Sequence, residues 1–198
     1  MAKVFLTLAF LVLISPIWAG TSLRFNSPLY SFVIEQPDGW IVDVQSVSQI
    51  ANFVVHPAES NWRSAPVVIF GRFVPRSPSE TLSAFVKQDE ERFRAGCAGA
   101  RVGGIDWNAE LDKTFLLKSF TCVNQRKEIV AVTELPSYFG IFILSGQEAL
   151  AVDEASSSFQ VLLAGFQWIE TKREYWHPEA EDRPGDISQP ESTRPPRY

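Results

Sequence analysis

Three apolar, β-branched runs follow one another with almost no chain between them: Phe115–Val123, Glu128–Leu135 and Tyr138–Leu144. Asn124-Gln125-Arg126-Lys127 joins the first pair, and Pro136-Ser137 joins the second. Links this short leave no room for a crossover, so the three runs read as antiparallel neighbours in one sheet. Upstream the same pattern recurs. Phe32 and Ile34 alternate with polar neighbours, and Pro37-Asp38-Gly39 makes a turn into Trp40–Val44. Ile50–His56 and Val67–Val74 are further β-type runs, ended by Pro57 and Pro75.

One helix interrupts the strands. Ser77-Pro78-Ser79-Glu80 predicts a cap, a proline at the first helical position and a capping-box glutamate. Leu82, Phe85, Val86 and Phe93 then share one face, with Lys87, Glu90, Glu91 and Arg94 pointing away and Gly96 as the stop. A second helix is predicted from about Val152 to Ala164, with Ala155, Phe159, Leu162 and Leu163 as its buried stripe. Asp153-Glu154 would sit at its positive end, and Gly165 would end it before Phe166-Gln167-Trp168. Strands, a helix, more strands and a closing helix give an α+β fold with a mainly antiparallel sheet flanked by helices.

The ends differ from this body. Residues 1–19 read as a signal peptide: Lys3 supplies the positive charge, Val4–Ile14 is apolar except for Thr7, and Ser15-Pro16 breaks the run. Cleavage after Ala19 fits best, with Ile17 at −3 and Ala19 at −1. The run is shorter than the about 20 apolar residues that span a bilayer, so no stable membrane anchor is expected after cleavage. The chain is therefore expected to be exported, to the periplasm if Gram-negative bacterial and otherwise secreted. The body covers 23–169. Residues 170–198 are charged, proline-rich and almost without aliphatic side chains, which predicts a disordered tail; Tyr175-Trp176 could dock back.

Charge narrows the partners. The net charge is −5, and loss of Lys3 with the leader takes it to −6. With no basic stripe, nucleic acid and an anionic membrane are not expected partners. Cys97 and Cys122 are the only cysteines, and in an exported chain such a pair reads first as one disulfide. Two free thiols, or a reactive thiol and its partner, are the alternatives. Cys97 follows the end of the first helix, where the dipole disfavours a thiolate, so a nucleophile is the weaker reading.

Tyr30–Trp40, with its strand running into Pro37-Asp38-Gly39-Trp40, resembles the opening of the PsbP-like superfamily. The capped mid-chain helix, the later antiparallel strands and the closing helix before Phe166-Gln167-Trp168 are similar in order and spacing. The resemblance spans about 23–169. It implies an α/β/α sandwich and a protein-binding or assembly role without catalysis. Pro37, Gly39 and Trp40 are structural in that family, so no functional residue carries over. The chain shows no chloroplast-type transit peptide, so a photosynthetic role is not expected.

Chemistry-bearing motifs are sparse. The sequence has no Gly-x-Ser-x-Gly elbow, phosphate-binding loop or His-Glu-x-x-His. Leu144-Ser145-Gly146-Gln147 reads as a strand end and turn. His56-Pro57-Ala58-Glu59 is the one histidine–acid cluster of the body, more simply a polar strand end than a general base with its acid. Glu90-Glu91 read as solvated carboxylates. Asp106, Glu110 and Asp112 around Trp107 lie in a turn-rich stretch and lack the regular oxygen spacing a metal needs. Trp40, Trp107 and Trp168 are assigned to packing. Trp62 beside Arg63, in the polar loop Pro57–Ser64, is the candidate interface anchor. No catalytic residue, cofactor or metal ligand is assigned. The expected function is a non-catalytic exported binding or assembly module with a protein partner in the cell envelope. The alternative is a small envelope enzyme, or a ligand- or metal-binding protein, using His56 and nearby acids.

Overall fold

Alternation along the strands divides the apolar residues between two faces of one long sheet. In the computed structural model, residues 20–27, 29–45, 51–97, 99–107 and 109–169 are described; the expected signal peptide and tail lie outside them. The elements are β1 (Thr21–Asn26), β2 (Ser31–Gln36), β3 (Trp40–Asp43), β4 (Phe53–Pro57), β5 (Val67–Pro75), α1 (Leu82–Gly96), β6 (Arg101–Gly104) and α2 (Ala109–Thr114). Then come β7 (Leu116–Thr121), β8 (Lys127–Glu134), β9 (Tyr138–Gly146), α3 (Ala149–Glu154), α4 (Ser156–Ala164) and β10 (Gln167–Ile169). Seven strands form an antiparallel sheet in the order β3-β4-β5-β9-β8-β7-β6, and β1-β2-β10 form a second, three-stranded one. This is the expected α+β fold with antiparallel sheets.

The inner face of the large sheet carries the main core. Phe53, Val55, Ile69, Phe73, Leu117, Ile129, Ala131, Phe142 and Leu144 meet Phe32 and Ile34 of β2 and Val152, Phe159, Leu162 and Leu163 of the closing helices. Each fully buried side chain of this size contributes roughly 1.5–3 kcal/mol. Trp40, brought round by the Pro37–Trp40 turn, joins the same cluster; its amide donates to the Pro37 carbonyl at 3.1 Å, and Gly39 supplies the positive φ of 77°. Trp107 and Trp168 pack on this cluster half-buried, as expected of packing tryptophans.

The outer face is divided. α1 lays Leu82, Phe85, Val86 and Phe93 over Phe120, Val130, Val132 and Phe139, covering β7, β8 and β9. Beside it, Val54 of β4 and Val68 of β5 form a small separate cluster with Ala51, covered by Trp62, Ala65 and Phe70. That division places the candidate site.

Several expectations shift. α1 begins after Thr81, whose hydroxyl accepts from the Ala84 amide at 3.2 Å; Ser77–Glu80 is a separate turn, closed by the Glu80 amide donating to the Ser77 carbonyl at 3.1 Å. Thr81, one turn later, supplies the cap instead, so the Ser77–Glu80 pattern lies ahead of the helix. Glu90 does not point away: it is half-buried and pairs with Lys118 at 2.9 Å. The closing helix starts earlier and is split at Ala155 (φ −81°, ψ −5°), so Asp153-Glu154 end α3 instead of opening a helix. Gln167-Trp168 belong to β10, paired with β2, whereas β1, β6 and α2 have no counterpart in the sequence reading.

Candidate interaction site

The loop between β4 and β5 is built around Asn61. Its side-chain Oδ1 accepts from the amides of Arg63 (3.0 Å) and Ser64 (3.2 Å), and its carbonyl accepts from the amides of Ser64 (3.0 Å) and Ala65 (2.9 Å). The Ser60 amide and hydroxyl both donate to the Pro57 carbonyl, closing the first half of the loop. These bonds fix the backbone that carries Trp62 and Arg63. Trp62 lies half-buried against Ala51, Val54 and Val68, while the Arg63 guanidinium sits 4.9 Å from the Trp62 ring centroid. At that distance the cation is held over the ring face. The loop thus presents an aromatic edge and an exposed cation on a rigid backbone.

The sheet extends this surface. β3 is the edge strand, and Trp40 and Val42 face the core, so Ile41 must face outward; it is 43% exposed. The register aligns Ile41 with His56, and Val54 with Phe70, which places His56 opposite Val68 on the next strand. Ile41, His56, Val68 and Trp62 therefore share one end of the outer face. The sequence reading found Trp62 and Arg63 but missed Ile41, although alternation within Trp40–Asp43 carried the signal.

His56 itself is 6% exposed, with Nδ1 2.9 Å from the Pro57 carbonyl oxygen. Glu59 is exposed on the turn beyond, and the two form no ion pair among the described residues. Ser145 lies two strands away in the same row, with Val68 between, and donates its hydroxyl to Glu128 at 3.2 Å. Two strand spacings are about 9.6 Å, too far for proton transfer between Ser145 and His56. Among the described residues, no three histidine, cysteine or carboxylate side chains converge as a metal-ligand set. Leu144–Gly146 complete β9 and Gln147 enters the turn.

A second surface lies under the C-terminal half of α1. A cleft of about 300 Å³ is lined there by Asp89, Arg92, Phe93, Arg126 and Glu128, with Cys97 at its end. Burial, with Glu128 as the next cause, raises the Asp89 carboxyl above its ordinary range, and Arg92 opposes this. Arg126 pairs with Glu128, so these cleft charges answer one another. Cys97, the α1 C-cap, and Cys122, just past β7, lie at disulfide distance with Cα atoms 5.8 Å apart. Of the acidic residues expected in a turn around Trp107, Glu110 and Asp112 instead lie in the first turn of α2, where Lys113 pairs with Glu110 at 3.1 Å, while Asp106 lies outside any helix.

No protein-family model matches the chain, and no curated protein sequence matches it. Among solved structures, the solution structure of cyanobacterial PsbP from Synechocystis sp. PCC 6803 is similar. It has a TM-score of 0.47 and 17% identity, over 78% of this chain and 96% of that one. The likeness concerns the fold alone.

Proposed function

We propose that this chain is an exported, non-catalytic binding or assembly module that engages a protein partner of the cell envelope through the Trp62–Arg63 loop and the adjoining Ile41 edge. The observation that supports this reading best is the rigid display of Trp62 and Arg63. Tryptophan and arginine are the side chains most enriched among residues that dominate interface energies, and rigid presentation lowers the ordering cost of binding. The loop alone is smaller than a stable interface, which buries at least about 1,000 Å² in total, so β3 and its outward Ile41 complete the surface. The cytoplasm is not the setting: export leads to the periplasm in a Gram-negative cell and to the exterior otherwise.

The test is a site-resolved crosslink in the native envelope. A photoreactive residue replaces Ser64, exposed in the same loop, in one chain and Lys113, exposed on α2, in another. The reading expects one discrete adduct from position 64 and none of that mass from position 113. Equal adducts from both positions, or none from 64, would overturn it.

A further inference from the structure

Gly20 is the residue that cleavage after Ala19 would leave as the N-terminus, and its backbone nitrogen donates to Glu35 Oε1 at 3.1 Å. The ladder pairs Ser22 with Glu35 and Thr21 with Gln36, so Gly20 and Glu35 lie diagonally on one face of the three-stranded sheet. On the other side, β10 pairs Gln167 with Val33, which brings Gly165 beside Glu35. Both glycines are contacts, not accidents of composition. A Cβ at Gly20 would stand 2.4 Å from Glu35 Oε1, and one at Gly165 would stand 2.3 Å from Glu35 Cβ and 3.0 Å from Oε2. The carboxylate is therefore wedged between two bare backbones and aimed at the Gly20 nitrogen. Beside it opens a hollow of about 430 Å³ lined by Gly20, Glu35, Pro37, Asp38, Ser157 and Ser158, with two acidic residues and no basic one. A neutral amide uses little of this arrangement. An α-ammonium, with three donors and a positive charge, uses all of it.

We infer that processing of the Ala19–Gly20 bond creates the group this site is built for: the new α-ammonium of Gly20 pairs with Glu35 and fastens β1 to the sheet. The inference rests on the export reading above. A signal peptidase adds one water across the amide; the C–N bond breaks, a C–O bond forms, Ala19 leaves as a carboxylate, and Gly20 nitrogen takes up protons to become the ammonium. The ordinary α-amino group titrates at about 7.7–8.0, and a carboxylate within contact raises that value. Raised in the folded state, the group stabilises fully below its unfolded value, and the gain is lost as pH rises through the folded one. The titratable groups facing it are Glu35 from β2 and Asp38 from the turn; α4 contributes only Ser157 and Ser158, and Arg24 of β1 is turned to Asn26, its Nε donating to Oδ1 at 3.1 Å.

The experiment compares a chain beginning at Gly20, released by a site-specific protease that leaves no extra residue, with one beginning at Ala19, each with and without Glu35→Gln. Glycine-labelled NMR should show the Gly20 amino group titrating about one pH unit above its ordinary value, and returning to it in Glu35→Gln. Amide exchange at Thr21 and Leu23 should be about tenfold faster in the Ala19-start chain, with no further acceleration when Glu35→Gln is added. An ordinary amino titration in the Gly20-start chain, or additive exchange effects, overturns the pairing. Separately, intact mass of the exported protein should give Gly20 as its first residue. A chain that keeps its leader defeats the export reading, whatever the titration of the laboratory-cut chain shows.

Discussion

Removing the Cys97–Cys122 link tests how α1 is held on the outer face. The two cysteines are 25 residues apart, both 8% exposed, and join the end of α1 to the end of β7. Closing a loop of that length lowers the entropy of the unfolded chain by an amount worth about 3.5 kcal/mol at 25 °C. α1 is also held by the partly exposed Glu90–Lys118 ion pair and by the packing of Leu82, Phe85, Val86 and Phe93, none of which the double variant touches. The double variant Cys97→Ala/Cys122→Ala should therefore lose about 3–4 kcal/mol in urea unfolding. At about 2–4 °C per kcal/mol for a chain of this size, the melting temperature should fall by about 6–16 °C. Local opening should begin at the C-terminal turn of α1, so amides of Phe93–Gly96 should lose protection before those of β8. A loss below about 1 kcal/mol, or titration of two free thiols in the oxidised wild type, would refute the reasoning.

Two further substitutions probe the core and the charged cleft. Gly71→Ala puts a Cβ 2.0 Å from the Phe53 ring, which is fully buried, and should cost about 2–3 kcal/mol by overpacking, whereas Gly103→Ala, with nothing within 4 Å, should unfold at nearly the wild-type urea concentration. Asp89 has its carboxyl raised by burial, so its contribution is lost as pH rises through the unfolded value of 3.8 toward the folded one. Asp89→Asn should therefore unfold at higher urea than wild type at pH 7, and at the same urea at pH 3.

The antiparallel half of the fold was legible because Asn124–Lys127 and Pro136-Ser137 leave the chain no other course. What escaped has physical causes. β1 and β6 are edge strands whose residues are mostly exposed or half-exposed, so they carry no strong alternation to read. α2 is six residues long, too short for a helical period to appear. Ala155 breaks the closing helix with neither glycine nor proline to announce it. At the surface, Trp62 and Arg63 stood out by residue type. The wedge of Glu35 between Gly20 and Gly165 depends on three segments meeting, which no local pattern encodes.

The central claim is that the Trp62–Arg63 loop binds a protein partner. Arg63→Glu tests it most directly, because Arg63 is exposed and its reversal leaves the packing of Trp62 on Val54 and Val68 in place. With the crosslinker at Ser64, the yield of the partner adduct is compared between the chain with Arg63 and the chain with Arg63→Glu at equal melting temperature. The account predicts at least about a tenfold fall in yield, the loss expected when a dominant interface residue is reversed. An unchanged yield from a fully folded Arg63→Glu chain would contradict it.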